Sequence, residues 1–328
     1  MFDPAKQWKG ILLSIVIGSI AIVITPFVPG MNEILMGLIL GIIISNVISI
    51  PSSFNEGIGF TGSKLLEISV LFLAFSINIS HVANVGWTSF VIVAIAVFSV
   101  LLLTLFLAKR FQCPGSTGWL IGFGTAICGS SAIAALAPTV AKNKEDVGIA
   151  IAVVNLLGTL GMIAFPFLYQ RLNIDEHLIS LLVGGSLHSV GNVAGAGYSI
   201  SESIGQSAIT IKLARVALLS PGLIYMNFML NRNEDTHWSK HFRLPWYLWS
   251  FIAISLLVSF VPIPENLIKE LEQVGKIILT IAMVAIGLKV KFKTLFQSGQ
   301  RGIIFGTVIF LLMILILFTS DFLLNRLS

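Results

Sequence analysis

Apolar runs of roughly 17 to 25 residues, each long enough to cross a hydrocarbon core about 30 Å thick, recur along this chain. They begin at Ile11 and continue almost to the last residue. Eleven can be drawn, at about 11–25, 34–50, 65–80, 87–108, 118–141, 147–170, 178–198, 205–230, 246–262, 271–289 and 302–324. Only 11% of the residues are charged and the mean hydropathy is +0.95, whereas soluble domains carry about 25% charged residues. No water-soluble fold hides so much apolar surface. Backbone groups in lipid must be paired within the protein, and long continuous runs do this as helices rather than as the alternating strands of a barrel. The expected class is an all-α polytopic membrane protein, one transmembrane domain over 1–328, with cytoplasmic loops at 51–64, 231–245 and 290–301.

The net charge of +5 and pI near 9.3 would suit a nucleic-acid partner only if the basic residues formed a stripe. They are scattered through short loops instead, which points to topology. If all eleven runs cross, thirteen basic residues fall on the side of Lys6, Lys9, Lys109 and Arg110, and five on the other. The positive-inside rule then puts the N-terminus in the cytoplasm and the C-terminus outside. Making run 118–141 alone re-entrant worsens the asymmetry to ten against eight, while making 118–141 and 178–198 both re-entrant gives fourteen against four. Lys6 and Lys9 precede the first run with no small-residue cleavage pattern after it, so that run is expected to stay.

Two cysteines, Cys113 and Cys128, form no CxxC, and the five histidines have no metal-type spacing; neither a disulfide framework nor a metal or cofactor is expected. There is no Walker A sequence to couple ATP. Gly37 and Gly41 fit a GxxxG packing face, and the charged stretch from Arg232 to Arg243 reads as a solvated linker. A weak internal match links Leu73–Ser80 with Val284–Lys291, seven runs apart and so in opposite orientation, as an inverted repeat requires.

The chemistry concentrates in two glycine-rich runs. Within 118–141, Cys128-Gly129-Ser130-Ser131 falls near the middle. Gly129 weakens the helix and Ser130 or Ser131 can cap a second half-helix, whose free N–H groups and dipole would suit an anion. Close helix packing by small residues is the competing explanation. Between Gly184 and Gly197, five of fourteen residues are glycine, which costs an unbroken helix about 5 kcal/mol at roughly 1 kcal/mol each. His188 and Asn192 stand at i and i+4 there and would face one cavity if the turn is helical; a His bonded to a freed carbonyl is the other reading. Lys212 and Arg215, three apart and without an acid on the same run, either attract an anionic substrate or bond to carbonyls. Asn78, Asn155 and Asn227 are further intramembrane polar residues, read as interhelical hydrogen-bond formers.

Gly124 to Ala135 with its Cys-Gly-Ser-Ser-Ala-Ile-Ala-Ala block, Gly184 to Gly197 with its His, Lys212-Leu-Ala-Arg215 before Pro221, and Ala282 to Leu288 together resemble the YeiH-type sulfate exporter family of bacterial inner-membrane proteins. The likeness runs in order over nearly the whole chain. It implies an inverted-repeat fold similar to sodium/proton antiporters and bile-acid symporters, with crossed broken helices around a mid-membrane site. One position departs: an acidic residue is expected after the family's His, and here Ser189 follows His188. The leading expectation is a secondary transporter for a sulfate- or sulfonate-like anion, not an enzyme. Its site would be Cys128, Gly129, Ser130, Ser131, His188, Asn192, Lys212 and Arg215, its partners the bilayer, a proton or sodium as coupling ion, and a second copy in a homodimer. A cation-coupled transporter, and more distantly a serine hydrolase using Ser130 or Ser131 with His188, are the alternatives.

Overall fold

A computed structural model describes residues 4–28, 31–77, 85–111, 113, 115–230, 246–290 and 300–327. The expected loop 231–245, most of 290–301, Asn78 and the ends of the internal match lie outside them. Among the described residues every regular element is helical: α1 (Pro4–Ile24), α2 (Glu33–Val47), α3 (Asn55–Phe60), α4 (Leu66–Ala74), α5 (Trp87–Arg110), α6 (Gly115–Ala126), α7 (Ser130–Val140), α8 (Lys144–Leu172), α9 (Glu176–Ser186), α10 (Val190–Ile200), α11 (Glu202–Ala217), α12 (Leu219–Met229), α13 (Trp246–Phe260), α14 (Glu265–Leu288) and α15 (Gln300–Leu327). Starts are set by side-chain caps where the sequence supplies them. Asn32, Asn143, Asp175 and Ser201 each accept from the backbone N–H three residues on, satisfying a donor the helix cannot.

Among the described residues, six helical stretches are long and apolar enough to cross a membrane: Gln7–Phe27, Ser52–Ala74, Trp87–Arg110, Lys144–Leu172, Glu265–Leu288 and Gln300–Leu324. The bent pair α11 and α12, 41° apart, makes a seventh if it is one span. Helices α2 and α13 are shorter and apolar. The expected loop 51–64 is instead helical. A 3-10 turn at Ser52–Phe54, α3 and a π-helical turn at Thr61–Leu65 lead straight into α4. Its few polar residues resembled a loop, but their side chains sit on a helix whose Thr61 is buried.

By its packing the chain divides into two compact units, 1–82 with 246–293, and 83–245 with 294–328. In the first, α14 packs on α2, α4 and α1. Contact with α2 is backbone to backbone: a Cβ on Gly41 would lie 2.4 Å from the Val284 carbonyl, and one on Gly287 2.4 Å from that of Leu38. Gly37 also lies against Thr280 and Val284, so the GxxxG pair serves this close approach. Gly275 abuts Phe72 and Leu73 while Gly62 abuts Ile286, which makes α4 and α14 antiparallel.

In the second unit the two glycine-rich runs fold back on themselves. Ser116 and Thr117, at the start of α6, donate to Asp146 at the start of α8 at 2.5 and 2.8 Å. The chain leaves α7 at Val140, three residues before α8. Both ends of α6–α7 therefore lie at one end of the unit, and a Cβ on Gly124 would sit 2.8 Å from Ile133 across the hairpin. The second run behaves likewise from the opposite end. Helix α9 leaves the last turn of α8 through Asn173 at φ 44° and runs antiparallel to α15, with His177 3.6 Å from Asp321 and the His188 ring 5.0 Å from Phe310. Helix α10 then turns back alongside α8, Asn192 on Gly158 and Gly195 on Met162. The resemblance implied crossed broken helices; here each break is the tip of a hairpin.

Candidate functional site

The two hairpin tips, Ile127–Gly129 and Leu187–Ser189, meet inside the second unit. Gly129 has φ +75° and ψ −131°, a conformation open to glycine alone, and its Cα faces the His188 carbonyl, 3.3 Å from where a Cβ would stand. A tight reversal at this depth leaves the last carbonyls of α6 and α9 without helical partners. Lys212 and Arg215, both at 0% exposure, supply them. The Lys212 Nζ donates to Ile127 O at 2.8 Å and Leu187 O at 2.7 Å. Arg215 donates from Nε to Ala126 O at 2.7 Å, from Nη1 to Leu187 O at 2.9 Å and from Nη2 to Thr125 O. Both cations thus clamp the two tips together, and the i, i+3 spacing read from the sequence puts them on one face.

Among the described residues no carboxylate pairs with either cation. Two half-helix C-termini contribute about −0.5 charge each, against +2 on the side chains, and the N-termini of α7 and α10 add about +0.5 each. The tip region is therefore left electropositive.

The return helices begin differently. Ser189 caps α10, accepting from Asn192 N at 3.0 Å while its hydroxyl donates to Asn192 Oδ1. At α7 the capping position is Gly129 itself, with no side-chain hydrogen bond. Neither Ser130 nor Ser131 caps, contrary to the sequence expectation. Ser130 is the first helical residue, and the Ser131 hydroxyl is 3.0 Å from Cys128 Sγ and 3.3 Å from its carbonyl. The reason is the reversal: the residue with positive φ must stand where a capping serine would.

His188 and Asn192 do not share a helical face, because the chain is non-helical at 187–189. His188 Nε2 pairs with Thr125 Oγ1 at 3.3 Å, while its buried Nδ1 has no hydrogen-bond partner among the described residues. Asn192 is held by Ser189. The site thus brings together Cys128, Gly129, Ser130 and Ser131 on one tip and His188 on the other, with Lys212 and Arg215 bonded to both; Asn192 stands one turn behind. Ser131 is turned to Cys128 and His188 to Thr125. Among the described residues no cluster of three or more His, Cys, Asp or Glu could hold a metal ion. Sequence reasoning missed Thr125, Phe310 and the Asp146 clamp; only the Thr125 hydroxyl within a glycine-rich run gave a signal.

Residues 9–306 match the family model described as Conserved hypothetical protein 698. Among similar proteins, a UPF0324 membrane protein of Bartonella henselae is 31% identical over 277 residues, covering 84% of this chain and 80% of its own. One of Pasteurella multocida is 28% identical over 292 residues, 87% of each chain. One of Bacillus cereus is 27% identical over 306 residues, 92% of this chain and 90% of its own. No solved structure matches the chain significantly. A helical chain with at least six membrane-length spans, matched by these relatives over most of its length, belongs to the Conserved hypothetical protein 698 family, alongside the UPF0324 multi-pass membrane proteins of bacteria.

Proposed function

We propose that this chain is a secondary active transporter of the bacterial inner membrane that moves a small sulfate- or sulfonate-like anion by alternating access. The observation that carries this reading is the meeting of two opposed hairpin tips over two fully buried cations whose partners are backbone carbonyls. Irregular backbone at membrane depth is tolerated where it is buried or lines a cavity, and paired half-helix ends are where such transporters bind ions and substrates. The uncapped N-terminus of α7, the half-buried Ser130 and the exposed Ser131 offer donors to an anion. His188 Nδ1 adds a buried polar atom with an unmade hydrogen bond, which a ligand or water satisfies. The exporter direction and the sulfate-like class rest on the YeiH-type resemblance alone.

The six long spans, the bent pair and the two shorter helices α2 and α13 make nine passes, with α6–α7 and α9–α10 entering from opposite sides. This topology has the fourteen-to-four distribution of basic residues, better than eleven passes give. It keeps the N-terminal end cytoplasmic and the C-terminal end outside. The opposite directions of the two hairpins, and of α4 and α14, support the inverted-repeat reading.

The test is flux in liposomes containing the purified protein, with sulfate, sulfite, sulfonates and carboxylates under imposed pH and sodium gradients. Transport of one of these anions, or a thermal shift on its binding, is expected. No flux and no shift across the whole panel would overturn the reading.

A further inference from the structure

The carbonyls that meet at the tips include a pair of the kind that takes a monovalent cation. Ile127 O and Leu187 O, one from each tip, share the Lys212 ammonium, while Thr125 O, Ala126 O and again Leu187 O take the nitrogens of Arg215. Unwound carbonyls and half-helix C-termini are what coordinate sodium in transporters with discontinuous helices. In this chain the place is taken. The Lys212 ammonium sits 2.8 Å from Ile127 O and 2.7 Å from Leu187 O, one oxygen from each tip, and Arg215 covers the rest. Both side chains are wholly buried.

We propose that Lys212 is a built-in monovalent cation: its ammonium occupies a cation seat between Ile127 O and Leu187 O, so the tips are held together without a bound inorganic ion. Removing the side chain opens that seat to sodium, potassium or ammonium. The seat stands on the tip geometry. Its consequence for coupling, that sodium does not bind at these carbonyls in the intact protein, rests on the transporter reading.

Three features separate a cation seat from an ordinary buried hydrogen bond. The two oxygens come from different hairpins that enter the unit from opposite ends, so the charge bridges Ile127 of one tip and Leu187 of the other, beside the Arg215 guanidinium that also spans both. Their donor is a compact point charge on a long stem, the side chain closest to an alkali cation in charge and size. The neighbouring Arg215 shares Leu187 O with it, so one carbonyl serves two cations.

The experiment is cation rescue of Lys212→Ala, read by thermal unfolding of the purified full-length protein in detergent at constant ionic strength. Wild type should melt at the same temperature in sodium, potassium, ammonium and choline chloride. Lys212→Ala should melt on the order of 10 °C lower in choline and regain at least half of that loss in one of sodium, potassium, ammonium or methylammonium, which fit where choline does not. Lys212→Met, whose thioether refills the space, should be destabilised and gain nothing from any cation. If Lys212→Ala cannot be recovered in choline, recovery of folded protein only with a small cation gives the same support. Equal melting of Lys212→Ala in all cations, failure to recover it in any of them, or sodium-dependent stabilisation of wild type would overturn the proposal. Because the readout is stability, a protein that shows cation rescue but no anion flux leaves the seat standing and removes only the transporter reading.

Discussion

The two hairpins reach the same point from opposite ends of the unit, yet their tips are built for different tasks. The tip of α9–α10 is closed on itself. Ser189 and Asn192 satisfy each other and the start of α10, His188 is tied to Thr125 and tilted against Phe310, and Asn192 fits against Gly158. The tip of α6–α7 turns on a single glycine, starts α7 without a side-chain cap, and leaves Ser130 half-buried and Ser131 exposed. A capped, buried helix start is held by its own side chains, with the bond to His188 Nδ1 left unmade among the described residues, whereas an uncapped helix start retains donors for something else. Under the proposed function the α9–α10 tip is the anchor and the α6–α7 tip the surface that the anion would meet.

The largest effect should come from the residue that joins the two. Arg215→Ala leaves Thr125 O and Ala126 O of the α6–α7 tip without a donor and Leu187 O with Lys212 alone, which costs about 3–5 kcal/mol for a broken buried charge interaction; Arg215→Lys should not restore it, since one ammonium cannot reach Thr125, Ala126 and Leu187 together. Poor accumulation and a much lower melting temperature are the readout, and wild-type stability of Arg215→Ala would break the picture of joined tips. Next, Gly129→Ala forces a side chain into the φ +75° turn, at about 1–3 kcal/mol. Anion flux should fall sharply in this variant, and unchanged flux would show that the α6–α7 tip is not the working one.

The distinction between anchor and ligand surface is sharpened by a pair of serine substitutions. Ser189→Ala should lower stability by about 1 kcal/mol through the lost cap. Ser131→Ala should leave the melting temperature within the roughly ±0.5 kcal/mol range of surface changes while weakening anion binding several-fold; the opposite pattern would exchange the roles of the tips. The smallest effect concerns the mouth of the first hairpin. Burial pushes the Cys113 thiol up to about 11, with the Asp146 carboxylate adding to the shift and Arg301 opposing it. Only the thiolate reacts, and at pH 8 the thiolate fraction is on the order of one in a thousand. Cys113 should resist maleimide in the folded protein for hours, and rapid labelling followed by mass spectrometry would show that this mouth opens.

Much of the molecule is legible in the residues. The membrane class follows from apolar runs that no soluble core could bury, and the two breaks follow from glycine density in 118–141 and 184–197, where helix propensity collapses. The basic residues indicate which ends share a side, and their asymmetry is greatest for the topology in which both broken runs return. What the chain does after each break is not legible, because a three-residue tip has the same sequence whether the next helix continues or reverses. The reversal is decided by contacts far along the chain, Ser116 and Thr117 with Asp146 and α10 with α8. The roles of Lys212 and Arg215 were likewise open. Their partners are carbonyls 25 to 90 residues away, and a backbone carbonyl carries no residue identity for a sequence to display. Composition and local propensity therefore determined that this chain is a helical membrane protein broken at two places, and only the tertiary structure decided that the breaks are hairpin tips held together by two buried cations, because that outcome depends on which backbone oxygens are brought within reach.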